Sequence, residues 1–294
     1  MMSLTPTDSR AKSRRQRRIR EWASAALIYA ALLAFAIYFL MPVAWLILTS
    51  FKKQVETFSA PPVWIFTPVL DHYQHIFWRK PIWNQLINSA VASFGAVAIS
   101  TFVGSLAAYG ISRMGKKAYD NLSFWFLSQR MLPLVVIVLP LYMIFRDIGL
   151  YDTRYGLILA YTNLSLPFVV WMMITYFDDL PIELEEAAMI DGCSRFQIFA
   201  RIALPLVAPG LVATSVFCLA LTWSDFLVAL VLTGPNTKTI PLEIMGYFYP
   251  AGTEGFNWGP LTAISVVVTL PVFIFILLVQ RWLVRGLTLG AVKG

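Results

Sequence analysis

The sequence predicts an all-α membrane protein with six transmembrane helices, and three observations carry that prediction. The 294 residues are 58% hydrophobic and 13% charged, with a mean hydropathy of +0.68, far from soluble usage. Six apolar runs, near 23–49, 86–112, 122–145, 156–177, 206–233 and 260–284, reach the about 20 helical residues that cross a hydrocarbon core of about 30 Å. Each run is continuously apolar, whereas a membrane barrel shows segments of about 10 residues alternating apolar with polar.

The elements follow in order. Residues 1–21 form a basic tail carrying Arg10, Lys12, Arg14, Arg15, Arg17, Arg18 and Arg20, polar and charged enough to be expected disordered up to residue 20. The first span continues through Pro42 to Trp45, past the length of a secretory signal core and without a small-residue cleavage site, so it is expected to be retained. Six spans return the C-terminus to the side of the tail. That face then holds fifteen of the 23 Lys and Arg, among them Arg113, Lys116, Lys117, Arg195, Arg201, Arg281 and Arg285, against seven on the other. The positive-inside rule makes this face cytoplasmic, together with both termini. The net charge of +7 is thereby explained by topology and anionic headgroups, without nucleic acid.

Soluble chemistry is poorly represented. Cys193 falls between two spans and Cys218 within one, so no disulfide is expected, and a cytoplasmic thiol stays reduced. His72 and His75, the two histidines, sit three apart in the long external loop, where a solvated pair is expected and no metal site. Gly110, Gly115 and Lys116 imitate a phosphate-binding loop, but Lys117 stands where the metal-binding hydroxyl belongs, and the stretch ends a span instead of following a strand. Neither a Ser/His/Asp set nor a Cys/His or paired-carboxylate set is evident. The chain is expected to be no enzyme, with no cofactor of its own.

The informative stretch is 178–205, a charged hairpin between two long apolar segments. Asp178 and Asp179 offer helix caps, Pro181 suits a first turn, and Glu183, Glu185 and Glu186 place negative charge at the positive end of the helix dipole. Gly192 supplies a left-handed stop; Ser194 with Gln197 then forms a capping box, and Phe196, Phe199 and Ile202 align on one face before Pro205 and Pro209. Bundle helices are usually joined by about 2–8 residues. A link this long, with a small apolar face, predicts a docking element for a soluble partner.

The spacing then becomes specific. Glu186-Ala187-Ala188, three residues, Gly192, nine residues and Ile202-x-Leu204-Pro205 resembles the EAA motif of permease subunits of binding-protein-dependent ABC importers. Gly149-Leu150-x-Asp152-Thr153, Leu166-Pro167-Phe168, Trp223-x-Asp225-Phe226 and the C-terminal segment Gly286 to Gly294 resemble the carbohydrate-uptake subfamily that includes the second membrane subunit of the maltose transporter. Ser224 stands where many relatives carry Asn.

The resemblance implies a type I ABC importer permease fold in a bacterial inner membrane. It also implies a heterodimeric second permease, two cytoplasmic ATPase subunits holding ATP and Mg, and an extracytoplasmic substrate-binding protein. Within this chain it implies Glu186 as the charged ATPase contact, Ala187 and Ala188 as small residues permitting close approach, and Gly192 as the turn. Phe196 and Ile202 are implied as structural support, Pro205 belongs to the same ATPase-docking set, and Gly290, Ala291 and Lys293 of the tail 286–294 reach toward the ATPase interface.

For the transport path the expectation rests on polar groups within spans: Asn88, Arg130, Asn163, Trp223 and Asp225, with Gln129 beside them. Arg130, about ten residues inside the third span, costs at least about 3 kcal/mol unless it faces a cavity or a partner. Rival readings are an ABC permease for a non-sugar solute, an ion-coupled secondary carrier and a non-transporting scaffold. The carrier needs internal repeats and titratable residues within its spans, and the chain offers no convincing repeat.

Overall fold

The protein is described from a computed structural model, which covers residues 6–248 and 258–291, with side chains for 22–248 and 258–280. No strand occurs among the described residues, which are helices and short connections. The chain divides into two compact units, Met1–Val69 and Leu70–Gly294.

The first unit is dominated by helix α1, Pro6–Thr49. Its apolar part, Trp22–Thr49, is long enough to cross a bilayer, and no residue of its most apolar stretch is buried. The basic segment that was expected to be disordered is helical from Pro6 onward. Ala, Arg, Lys and Gln are good helix formers, and extending a nucleated helix is far easier than starting one. Beyond α1, Lys52 is 1% exposed, its Nζ lying 4.1 Å from the Trp45 ring centroid and 5.3 Å from that of Phe66. Aromatic faces thus hold the ammonium electrostatically where the apolar helix ends.

The second unit contains α2, Trp83–Ser112, then α3, Lys116–Gln129, and α4, Leu134–Asp147. Helix α5, Arg154–Asp178, is packed along α2. The buried face of α2 reads Ala92, Ser93, Ala96, Ser100, Gly104, Ser105 and Ala108. Between apolar helices in lipid, association depends on close van der Waals fit, which small residues permit. A Cβ on Gly104 would stand 2.6 Å from Val169 Cγ1 on α5. Gly104→Leu is therefore expected to force α2 and α5 apart at a cost of about 1–3 kcal/mol. A lowered unfolding midpoint in detergent checks this, and an unchanged midpoint would refute the contact.

The third apolar run is not one helix. Helices α3 and α4 meet at an 87° bend between Gln129 and Leu134. Pro133 has no N–H, excludes Leu132 from helical backbone, and becomes the N-cap of α4. Arg130, expected well inside a continuous span, is instead the C-cap of α3 at the break. The fifth run also differs from expectation. It yields α8, Ala208–Trp223, a break over residues 224–226, and α9, Leu227–Leu232. After α10, Ile240–Phe248, helix α11, Trp258–Ala291, continues past residue 284, the expected end of the sixth span. Among the described residues, four helices can cross a membrane by length and composition, or up to six if each of two bent pairs counts as one span.

The connection before α10 is fastened at one end of the bundle. Asp152, at φ +52°, accepts hydrogen bonds from Gly234 N at 2.8 Å, Thr237 N at 2.9 Å, Thr237 Oγ1 at 2.7 Å, and Asn236 N and Nδ2 at 3.2 and 2.9 Å. Burial pushes its carboxyl up, but these donors outweigh burial and hold it below the usual carboxylate range. Thr153 caps α5 by accepting from Gly156 N at 3.0 Å. The segment Gly149 to Thr153 is thus both a clasp and a helix start.

Candidate coupling hairpin and transport cavity

Helix α6, Ile182–Ile190, begins at Pro181 with no side-chain cap. The expected caps are used otherwise: Asp178 ends α5, and its Oδ2 accepts from Tyr119 OH at 2.6 Å. Gly192 adopts φ +84°, its N–H donating to Met189 O at 3.1 Å while Cys193 N donates to Ala188 O at 3.0 Å. Those bonds close the C-terminal turn, and only glycine takes that backbone readily. Ser194 and Gln197 form the capping box, Ser194 N to Gln197 Oε1 at 2.8 Å and Gln197 N to Ser194 Oγ at 3.3 Å. The second arm, α7, Arg195–Ile198, runs through a π-turn at Phe199–Ala203 and Leu204–Leu206, meeting α8 at a 76° bend.

The hairpin has two faces. Glu186, Ala187, Ile190, Phe196 and Pro205 are exposed, with Ile190 88% and Phe196 65% accessible. Glu185, Ala188, Ile198 and Phe199 are buried against the chain, and Ile202 is half-buried. Ala188, expected on the docking surface, lies on the inner face. Gly290 and Ala291 lie in α11, and Lys293 is outside the described residues.

Sequence reasoning missed the anchor beneath the hairpin. Arg113, at the end of α2, donates from Nη2 to Glu185 Oε1 at 2.6 Å and from Nε to both carboxylate oxygens at 3.0 and 3.1 Å. Its Nη2 also donates to Phe177 O on α5 at 3.1 Å. Tyr109 OH donates to Glu185 Oε2 at 2.9 Å. Burial raises the Glu185 carboxyl, but the Arg113 and Tyr109 donors outweigh it and keep it below the ordinary range. In the sequence Arg113 is one of the cytoplasmic-face charges, and the signal of its pairing is the second glutamate, Glu185, directly before Glu186.

A cavity of about 470 Å³ lies at the two helix breaks, lined by Gln129, Arg130, Leu132 and Leu134 at the first, by Tyr161, Asn163, Ser165 and Pro167 of α5, and by Thr222 and Asp225 at the second. Asp225 Oδ2 accepts from Tyr161 OH at 3.1 Å and from Ala229 N at 3.1 Å. The Arg130 guanidinium lies 5.0 Å from the Phe168 ring centroid. Arg130 and Asp225 both line the cavity. Three expected pathway residues, Arg130, Asn163 and Asp225, are brought together here, along with Gln129.

Asn88 and Trp223 are not among the lining residues. Asn88 Nδ2 donates to Asn236 O and Lys238 O, both at 3.1 Å, while its Oδ1 accepts from Arg154 Nε at 2.9 Å. Trp223 Nε1 donates to Val268 O of α11 at 3.1 Å. Both side chains join elements of the bundle.

The family model "Binding-protein-dependent transport system inner membrane component" matches residues 100–289, and the chain belongs to that family. It is 34% identical to the sulfoquinovosyl glycerol transport system permease protein SmoH of Agrobacterium fabrum, over 87% of this chain and 89% of that one. It is 33% identical to the trehalose/maltose transport system permease protein MalG of Thermococcus litoralis, over 91% and 96%. Among solved structures, a chain of a bacterial ABC transporter that imports the acidic polysaccharide alginate superposes with a TM-score of 0.72 at 22% identity, covering 96% of this chain and 100% of that one. The fold is therefore that of an ABC importer permease.

Proposed function

We propose that this chain is the membrane-spanning subunit of an ATP-driven importer that passes a carbohydrate from a binding protein into the cytoplasm. The substrate class is a sugar, oligosaccharide, polyol or glycerol phosphate. The observation that carries the proposal is the two-faced hairpin, anchored inward through Glu185 while Glu186, Ala187 and Phe196 face outward. The outer face seats in a cleft of an ATPase subunit, Glu186 supplying the charged contact and Ala187 the close approach. Gly192 holds the turn, Ala188 and Ile202 shape the hairpin from behind, and Pro205 lies on the exposed docking side. The tail residues Gly290, Ala291 and Lys293 reach the same ATPase pair.

ATP and Mg are held by two such ATPase subunits, and a second permease completes the membrane path. Both termini and the hairpin face the cytoplasm. Relatives whose names specify sulfoquinovosyl glycerol and trehalose/maltose support a carbohydrate as cargo. So does a cavity offering amide, hydroxyl, carboxylate and guanidinium groups to a polyhydroxylated ligand. Closure of the ATPase dimer on ATP draws the hairpins together and turns the spans, so that the cavity opens toward the binding protein.

Affinity purification from the native membrane tests the assignment. Wild type should bring down an ATPase and a second permease, and Glu186→Arg should lose the ATPase. Recovery of the chain alone, with ion-gradient-driven transport indifferent to ATP, would overturn the importer reading in favour of a secondary carrier.

A further inference from the structure

We propose that Arg113 and Glu185 are positioning residues for transport, forming the latch through which movement of α6 is passed to α2 and α5. The inference rests on the hairpin being the ATPase-docking element. Helix α6 packs chiefly against the second arm of its own hairpin. Among the described residues, its side-chain hydrogen bonds to the end of α2 run through the single Glu185 carboxylate, and α5 is reached one step further on, through Arg113. One guanidinium gathers three parts at once: the carboxylate on α6, its own position at the end of α2, and the Phe177 carbonyl on α5.

The joint is stiff as well as strong. A bidentate guanidinium–carboxylate fork fixes orientation in a way a single ammonium contact does not. The pair is nearly dry, its side chains 12% and 4% exposed, so water does not lubricate it. Tyr109 completes the joint. Its hydroxyl meets Glu185, and its ring lies 5.4 Å from that of Phe177 and 5.2 Å from that of Phe199 in the second arm. A push on the outer face at Glu186 therefore reaches α2 and α5 through the neighbouring residue, which points the opposite way.

The test uses the purified complex of this chain with its co-purifying ATPase and permease subunits, in a Cys193→Ser background. A Leu132→Cys reporter sits in the cavity wall, where Leu132 is 55% exposed. Its reaction with a charged thiol reagent is compared without nucleotide and after trapping with ATP and vanadate. With Arg113 and Glu185 intact, reactivity should change by about 5-fold or more, the lower end of ordinary allosteric coupling. In Glu185→Gln and Arg113→Lys the ATPase should stay bound and trap nucleotide, while the change in reactivity is lost.

An unaltered change in both variants would overturn the latch. Loss of the ATPase from both would overturn it too, by reducing the pair to an assembly contact. Glu186→Arg separates the two readings: if that variant keeps its ATPase, the docking assignment fails whatever the latch variants do.

Discussion

Glu185→Ala is expected to destabilise the protein by about 3 kcal/mol, the lower end of the range for removing one partner of a buried ion pair. The loss arises less from the missing attraction than from what remains: a guanidinium only 12% exposed whose carboxylate is gone, and a Tyr109 hydroxyl without its acceptor. The pH dependence has a definite sign. The Glu185 carboxyl is held below its ordinary value in the fold. Its contribution is therefore complete above the unfolded value near 4.5 and disappears as pH falls through the lower folded value. Thermal unfolding of wild type should lose stability across that acidic window. Glu185→Gln should be less stable at neutral pH and flatter below it, and parallel curves for the two proteins would refute the pairing.

Asp152→Ala should cost a comparable amount, about 3 kcal/mol, because hydrogen bonds to a charged acceptor are individually worth about 1.5–3 kcal/mol and several share this carboxylate. The effect has an address. Gly234, Asn236 and Thr237 lose a common acceptor, so amide exchange should accelerate across residues 234–237, with α2 and α5 protected as before. Asn at this position keeps one acceptor oxygen and should recover part of the protection. Unchanged exchange in Asp152→Ala would show that the connection is held by other means, such as the Asn88 bonds to Asn236 and Lys238.

What the sequence disclosed was local. Gly192, Ser194 and Gln197 form a turn and a capping box within a few residues, and the chemistry that demands them acts over the same distance. Glu186 and Ala187, assigned to the docking face by the resemblance, are exposed, whereas Ala188 of the same assignment is buried. Arg113 and Glu185 are 72 residues apart, and their meeting depends on how α2 packs against α5, a register that a stripe of Ala, Ser and Gly does not announce. The broken third span was concealed differently. The apolar run continues through Leu132, Pro133 and Leu134, so hydropathy read one helix where the backbone turns by 87°. Asn88 illustrates the opposite error: a polar side chain within an apolar run suggested a ligand contact, but its hydrogen bonds are to the protein's own backbone and to Arg154.

The cavity borders two places where helices stop, at Gln129 and at Trp223. A helix end leaves its last carbonyl oxygens without intrahelical partners, and within a bilayer such groups persist only where protein or water receives them. At these two ends Leu127 O, Ser128 O and Ala220 O accept from Arg130 N, Met131 N and Ser224 N, and the carbonyls beyond them are main-chain acceptors that side-chain substitution does not remove. A transporter with such a wall can exchange its lining residues and still favour hydroxyl-rich cargo, so changes in selectivity should follow from moving Pro133 or altering the length of the 224–226 interruption more readily than from replacing any one lining residue.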